Sequence, residues 1–141
     1  MSTRTPHAEL VDRLVRNDIR PSAQRLAIAE SVLDTTDHPT ADQVFRMVTS
    51  RHPAVSRATI YNTLQTFVEK GLLRSLVLAE GSVAYDPNIE RHHHFVDDET
   101  GAIEDIPWSA IKVGRIEDLE QLEGFDVREF SVVVRGKRKV D

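Results

Sequence analysis

Three consecutive histidines, His92-His93-His94, stand between two carboxylates, Asp86 before them and Asp105 after them. If 91–96 is a strand, its side chains alternate between two faces. His92 and His94 then point together and His93 points away. Two imidazoles side by side on a rigid strand are half of a metal site, and the flanking carboxylates would add oxygen donors. The blander alternative is a solvated edge, because a short histidine tract is only a compositional signal.

The elements that must position these residues follow from the periodicity around them. Arg91 to Val96 and Ala102 to Ile106 read as paired strands about a turn at Glu99-Thr100-Gly101. A helix is expected from Trp108 to Leu122, and a last strand from Phe125 to Arg135, most strand-like over Ser131-Val132-Val133-Val134. Such a β-branched edge invites pairing with a second copy, so a homodimer is expected.

Before Asp86 the pattern is helical. His7 to Asn17 carries Leu10, Val11, Leu14 and Val15 on one side; Ser22 caps a second helix that runs to Leu33. Thr40 and Gln43 form a capping-box pattern ahead of a helix over Ala41 to Arg51, with Val44, Phe45 and Val48 inward and Pro53 beyond its end. Ser56 caps a fourth helix ending at Gly71, whose Ile60, Leu64, Phe67 and Val68 face the core. Leu72 to Ala79 and Ser82 to Tyr85, joined at Glu80-Gly81, read as a hairpin. The expected class is α+β: a winged helix-turn-helix domain over 1–86, then a small α/β dimerisation and metal-sensing domain over 87–141.

The outer face of the fourth helix suits a major groove. Arg57 can pair with phosphate or guanine, Tyr61 can touch a thymine methyl, and Asn62 can bond a base edge. Ser56 and Thr59 can add phosphate contacts. The alternative is an ordinary amphipathic helix with a solvated outer face.

Charge is uneven along the chain. Residues 1–86 carry 10 Lys/Arg and 10 Asp/Glu, whereas residues 87–141 carry 8 and 13, so the net −5 lies in the second part. An acidic second part suits cation binding and argues against contact with nucleic acid there. No cysteine is present, which excludes disulfides, thiolate zinc sites and a cysteine nucleophile. No apolar run is long enough for a membrane span, and with no apolar signal core the expected location is cytoplasmic.

At this point the motifs resemble a family. Ser56-Arg57-Ala58-Thr59-Ile60-Tyr61-Asn62-Thr63-Leu64 with Glu69-Lys70-Gly71-Leu72 is similar to the recognition helix of the ferric uptake regulator family. His38-Pro39-Thr40-Ala41-Asp42, Tyr85-Asp86-Pro87, the histidine triplet and Gly101-Ala102-Ile103-Glu104-Asp105 resemble its inter-domain metal site. The resemblance implies a dimeric metal-dependent repressor that binds a palindromic operator in double-stranded DNA. It implies Fe²⁺ or Mn²⁺ held by His38, Asp86, His92, His94 and Asp105. Asp at 105 and Asn at 62 resemble the peroxide-sensing branch, in which His38 and His92 would be the oxidised ligands. Asp97 and Thr100 stand where the family's first zinc cysteine pair would lie, with Arg138 and Asp141 near the second, so no structural zinc is expected. Phe130 stands near a histidine used by a second metal site in some relatives, so none is expected there either.

Two rivals come from other readings. An iron-, manganese- or haem-responsive repressor would keep the fold and change the signal, with His93 as the haem candidate. His92, His94 and Glu99 also have the HxHx₄E spacing of cupin metalloenzymes, but a cupin needs about eight strands. With helices expected up to Gly71, too little chain remains, and no enzyme is expected.

Overall fold

The computed structural model describes residues 5–113 and 124–139. Contacts divide it into two units, residues 1–89 and 90–141.

The first unit has four helices, α1 (His7–Arg16), α2 (Ala23–Leu33), α3 (Ala41–Thr49) and α4 (Arg57–Glu69), then a hairpin of β1 (Arg74–Val77) and β2 (Val83–Asp86). Side-chain oxygens set the starts of α2, α3 and α4. Ser22 accepts from Arg25 N–H, Thr40 and Gln43 form a reciprocal capping box, and Ser56 accepts from Thr59 N–H. Gly71, at φ +81°, ends α4 in a Schellman motif in which Leu72 N–H reaches the Phe67 carbonyl at 2.8 Å. Leu10, Leu14, Ile28, Val32, Val44, Val48, Ile60, Leu64 and Phe67 form one core. Val15, expected inward, is exposed, because a ten-residue helix needs only its Leu10–Leu14 row to seal against the core. Phe45 is only half-buried, with one ring face left to Arg57.

The second unit is a three-stranded sheet in the order β4 (Ile103–Pro107), β3 (His92–Asp97), β5 (Val133–Gly136). The β3–β4 pair is antiparallel with His94 opposite Asp105, and β3–β5 is parallel with His94 opposite Val133. The histidine triplet therefore lies on the central strand, and all three rings are buried. The solvated-edge alternative is not what forms.

Two elements differ from expectation. The helix expected from Trp108 is only a 3-10 turn over Trp108–Ala110, with 111–113 irregular; the rest of that expectation lies outside the described residues. The last strand spans four residues rather than the run from Phe125, because the ladder exists only where β3 pairs with it. The cupin alternative does not fit: four helices fill residues 7–69, and Glu99 is exposed at a turn, paired with Lys137. No helix among the described residues is long and apolar enough to cross a membrane.

Candidate metal centre and DNA-reading face

In the first unit, His38 occupies the loop before α3 with φ +53°, a left-handed conformation rare for a residue with a Cβ. The loop is stitched to the hairpin by the Thr40–Ala84 bridge and by Tyr85 N–H donating to the Pro39 carbonyl at 2.9 Å. That stitching brings His38 Nε2 to 3.1 Å from Asp86 Oδ2, both side chains being buried. The other oxygen of Asp86 accepts from Asn88 N–H at 2.9 Å, which sets the carboxylate plane. Burial, with Tyr61 nearby, pushes the neighbouring Tyr85 phenol up from its ordinary value.

In the second unit, alternation along β3 does what strand geometry requires. His92 Nε2 and His94 Nε2 meet at 2.9 Å, and Asp105 Oδ1 lies 3.3 Å from the first and 3.6 Å from the second. Ligand atoms about 2.1 Å from a common ion stand roughly 3.0–3.4 Å apart, so this spacing fits a small divalent cation. His92 Nδ1–H donates to the Glu90 carbonyl, which leaves the Nε2 lone pair facing its neighbours. A backbone carbonyl on the far ring nitrogen is the usual way a ligand histidine is oriented.

His93 faces the other way and has a different part. Its Nδ1 accepts from Val132 N–H at 2.9 Å, and its ring stacks on Trp108 at 4.5 Å and 14°. Phe130 tilts onto Trp108 at 5.2 Å, and the Arg91 guanidinium covers Trp108 at 4.4 Å. A fully buried, stacked ring with Nδ1 engaged is poorly presented to a haem. Phe130 belongs to this aromatic packing.

Where the resemblance puts the first cysteine pair, hydrogen bonds close the turn. Asp97 Oδ1 accepts from Glu99 N–H at 2.8 Å and Thr100 N–H at 3.1 Å, and Thr100 Oγ1 accepts from Ala102 N–H. The Thr100 and Glu99 amides hold the Asp97 carboxyl below the ordinary carboxylate range. Arg138 pairs with Glu104, and Asp141 lies outside the described residues.

On α4, Arg57, Tyr61 and Asn62 are exposed, and Ser56 and Thr59 are joined hydroxyl to hydroxyl at 2.9 Å at its start. A contact with no local sequence signal joins this face: Asp42 Oδ1 receives both the Arg57 guanidinium and, at 3.3 Å, the Tyr61 hydroxyl. Asp42 is 15 positions from Arg57 and 19 from Tyr61, so only packing of α3 on α4 reveals it. The Trp108 stack on His93 was likewise invisible to spacing.

Residues 16–135 match the sequence model of the Ferric uptake regulator family. A peroxide-responsive repressor, PerR, of Staphylococcus aureus (strain Mu50) is 31% identical over 129 residues, 91% of this chain and 86% of that protein. Among solved structures, the Campylobacter jejuni peroxide stress regulator aligns with TM-score 0.65 and 27% identity, covering 94% of this chain and 96% of that one. The Vibrio cholerae ferric uptake regulator aligns with TM-score 0.70 at 19% identity, over 91% and 98%, a likeness of fold alone.

Proposed function

The chain belongs to the ferric uptake regulator family, and from that premise we propose that it is a metal-responsive DNA-binding repressor that senses hydrogen peroxide. The observation that carries this reading is the convergence of His92 Nε2, His94 Nε2 and Asp105 Oδ1 on one face of the β3–β4 pair. The likeness to peroxide-responsive relatives supports the choice of signal.

The reading assigns His38, Asp86, His92, His94 and Asp105 to a single regulatory centre. Three imidazoles and two carboxylates form a nitrogen–oxygen set suited to Fe²⁺ or Mn²⁺. Iron(II), when bound, would supply the electron that reduces peroxide and so create oxidant among its ligands, whereas Mn²⁺ would leave them intact. His38 comes from the unit that carries α4, and His92, His94 and Asp105 come from the sheet. Their shared ligation would couple metal occupancy to the setting of the recognition helix. Oxidation of His38 or His92 would weaken the set and release DNA. The regulator acts as a cytoplasmic homodimer on a palindromic duplex, with Ser56, Arg57, Thr59, Tyr61 and Asn62 as its DNA contacts. It changes state in response to a signal and does not turn over a substrate.

The test is duplex binding by metal-free, Mn²⁺- and Fe²⁺-loaded protein before and after peroxide, with peptide masses after digestion. The expected result is metal-dependent binding, lost to peroxide only with Fe²⁺, and one added oxygen on a peptide carrying His38 or His92. Binding that survives peroxide with both metals would make the protein a plain metal-responsive regulator. Release of DNA with both peptides unmodified would remove the oxidation mechanism.

A further inference from the structure

The Asp42 carboxylate engages two of the side chains assigned to DNA contact, and it does so within one unit. It accepts from the Arg57 guanidinium and from the Tyr61 hydroxyl through the same oxygen. Its place is fixed by the capping box of Thr40 and Gln43, which holds the first turn of α3. On the other side, the Phe45 ring lies 4.4 Å from the Arg57 guanidinium carbon. Arg57 is therefore gripped between a carboxylate and an aromatic face before any DNA arrives. It is also the one cation among the five residues assigned to the interface. Further along the same helix Gln65 bonds Glu69 at 3.0 Å, and just past its end Lys70 pairs with Asp18 at 3.1 Å.

We propose that Asp42 sets the specificity of the DNA-reading face by withholding Arg57 from unselective phosphate contact while holding Arg57 and Tyr61 in register. The proposal rests on the repressor reading above. Sequence-independent affinity comes from cations that neutralise phosphates, each adding about 0.9 to the salt slope. An Arg57 already neutralised by Asp42 adds little of that attraction. A duplex offering only phosphate must displace the carboxylate and bring its own charge towards it. A duplex whose base edges also bond Arg57, Tyr61 and Asn62 gains contacts that offset the displacement. Removing the carboxylate should thus help the wrong duplex more than the right one.

The experiment uses the full chain loaded with Mn²⁺, as wild type, Asp42→Asn and the double variant Asp42→Asn/Arg57→Ala. The probes are a duplex selected by the wild-type protein from a random pool and a scrambled duplex of equal length, each over a salt series. Asp42→Asn is expected to bind the scrambled duplex roughly three- to ten-fold more tightly, the scale of one exposed ion pair plus one like-charge contact. Its salt slope there should steepen by about 0.9, a change that loss of fold would not produce. Affinity for the selected duplex should change less, and adding Arg57→Ala should cancel the gain. An unchanged slope and affinity on the scrambled duplex would overturn the proposal, as would a gain that survives Arg57→Ala. If Asp42→Asn lowers the melting temperature, Asp42→Ser provides the same comparison with a smaller neutral side chain, the capping box being made by Thr40 and Gln43. A wild type that selects no duplex in any metal state removes the repressor reading and this inference with it. A selected duplex with an inert Asp42 removes the inference alone.

Discussion

His38 Nε2 stands 3.1 Å from Asp86 Oδ2 although the two residues are 48 positions apart. The contact exists because the loop carrying His38 is hydrogen-bonded to β2 through Pro39 and Thr40. Asp86→Asn keeps the volume and a polar partner for His38 but removes the charge a cation needs. We expect a folded protein whose Mn²⁺ affinity falls by more than the roughly 10–100-fold typical of losing an outer partner of a ligand. Metal titration beside a thermal melt checks this; affinity unchanged at equal melting temperature would take Asp86 out of the ligand set.

Alternation along β3 separates two kinds of histidine. His92→Ala or His94→Ala should abolish Mn²⁺ binding with a modest loss of stability. His93→Ala removes the Trp108 stack and the acceptor for Val132 N–H, so it should cost about 2–4 kcal/mol of stability. Urea unfolding followed by Trp108 fluorescence measures the second effect. A His93→Ala protein as stable as wild type, yet unable to bind metal, would reverse the assignment.

Asp105→Glu lengthens the side chain that faces His92 and His94 by one methylene. The expected outcome is Mn²⁺ binding retained within about tenfold and slower oxygen addition to His38 or His92 peptides under peroxide, since the oxygen donor moves by about a bond length. A response as fast as wild type in a mass-spectrometric time course would show that residue 105 does not set the sensing branch.

The turn at Asp97 predicts a pH effect with a definite sign. Thr100 and Glu99 amides lower the folded-state pKa of its carboxyl, so the ionised form favours the native turn. That stabilisation is present above the ordinary carboxylate range and is lost as pH falls through the depressed value. The stability advantage of wild type over Asp97→Asn should therefore shrink on acidification from about pH 6 towards about pH 3. Paired denaturation curves at several pH values check it, and a gap that widens in acid would contradict the turn chemistry.

Much of the framework was legible because its causes are local. Caps at Ser22, Thr40 and Ser56, and the left-handed Gly71, act within a few residues and mark helix ends in the sequence itself. Period-two alternation placed His92 with His94 and His93 opposite, since every strand obeys it. The segment from Trp108 departs from its apolar spacing, which suggests a helix: the described part is a 3-10 turn with Trp108 stacked on His93.

Residue order alone shows where the imidazoles and carboxylates stand, puts Arg57, Tyr61 and Asn62 on one expected helix, and leaves no thiolate available. Tertiary structure decided the pairings. It set His38 against Asp86, engaged Arg57 and Tyr61 with Asp42, and limited β5 to the residues that β3 can pair. The cause is range: caps and strand alternation depend on near neighbours, whereas a side-chain contact between residues 15 to 48 positions apart depends on how whole elements pack.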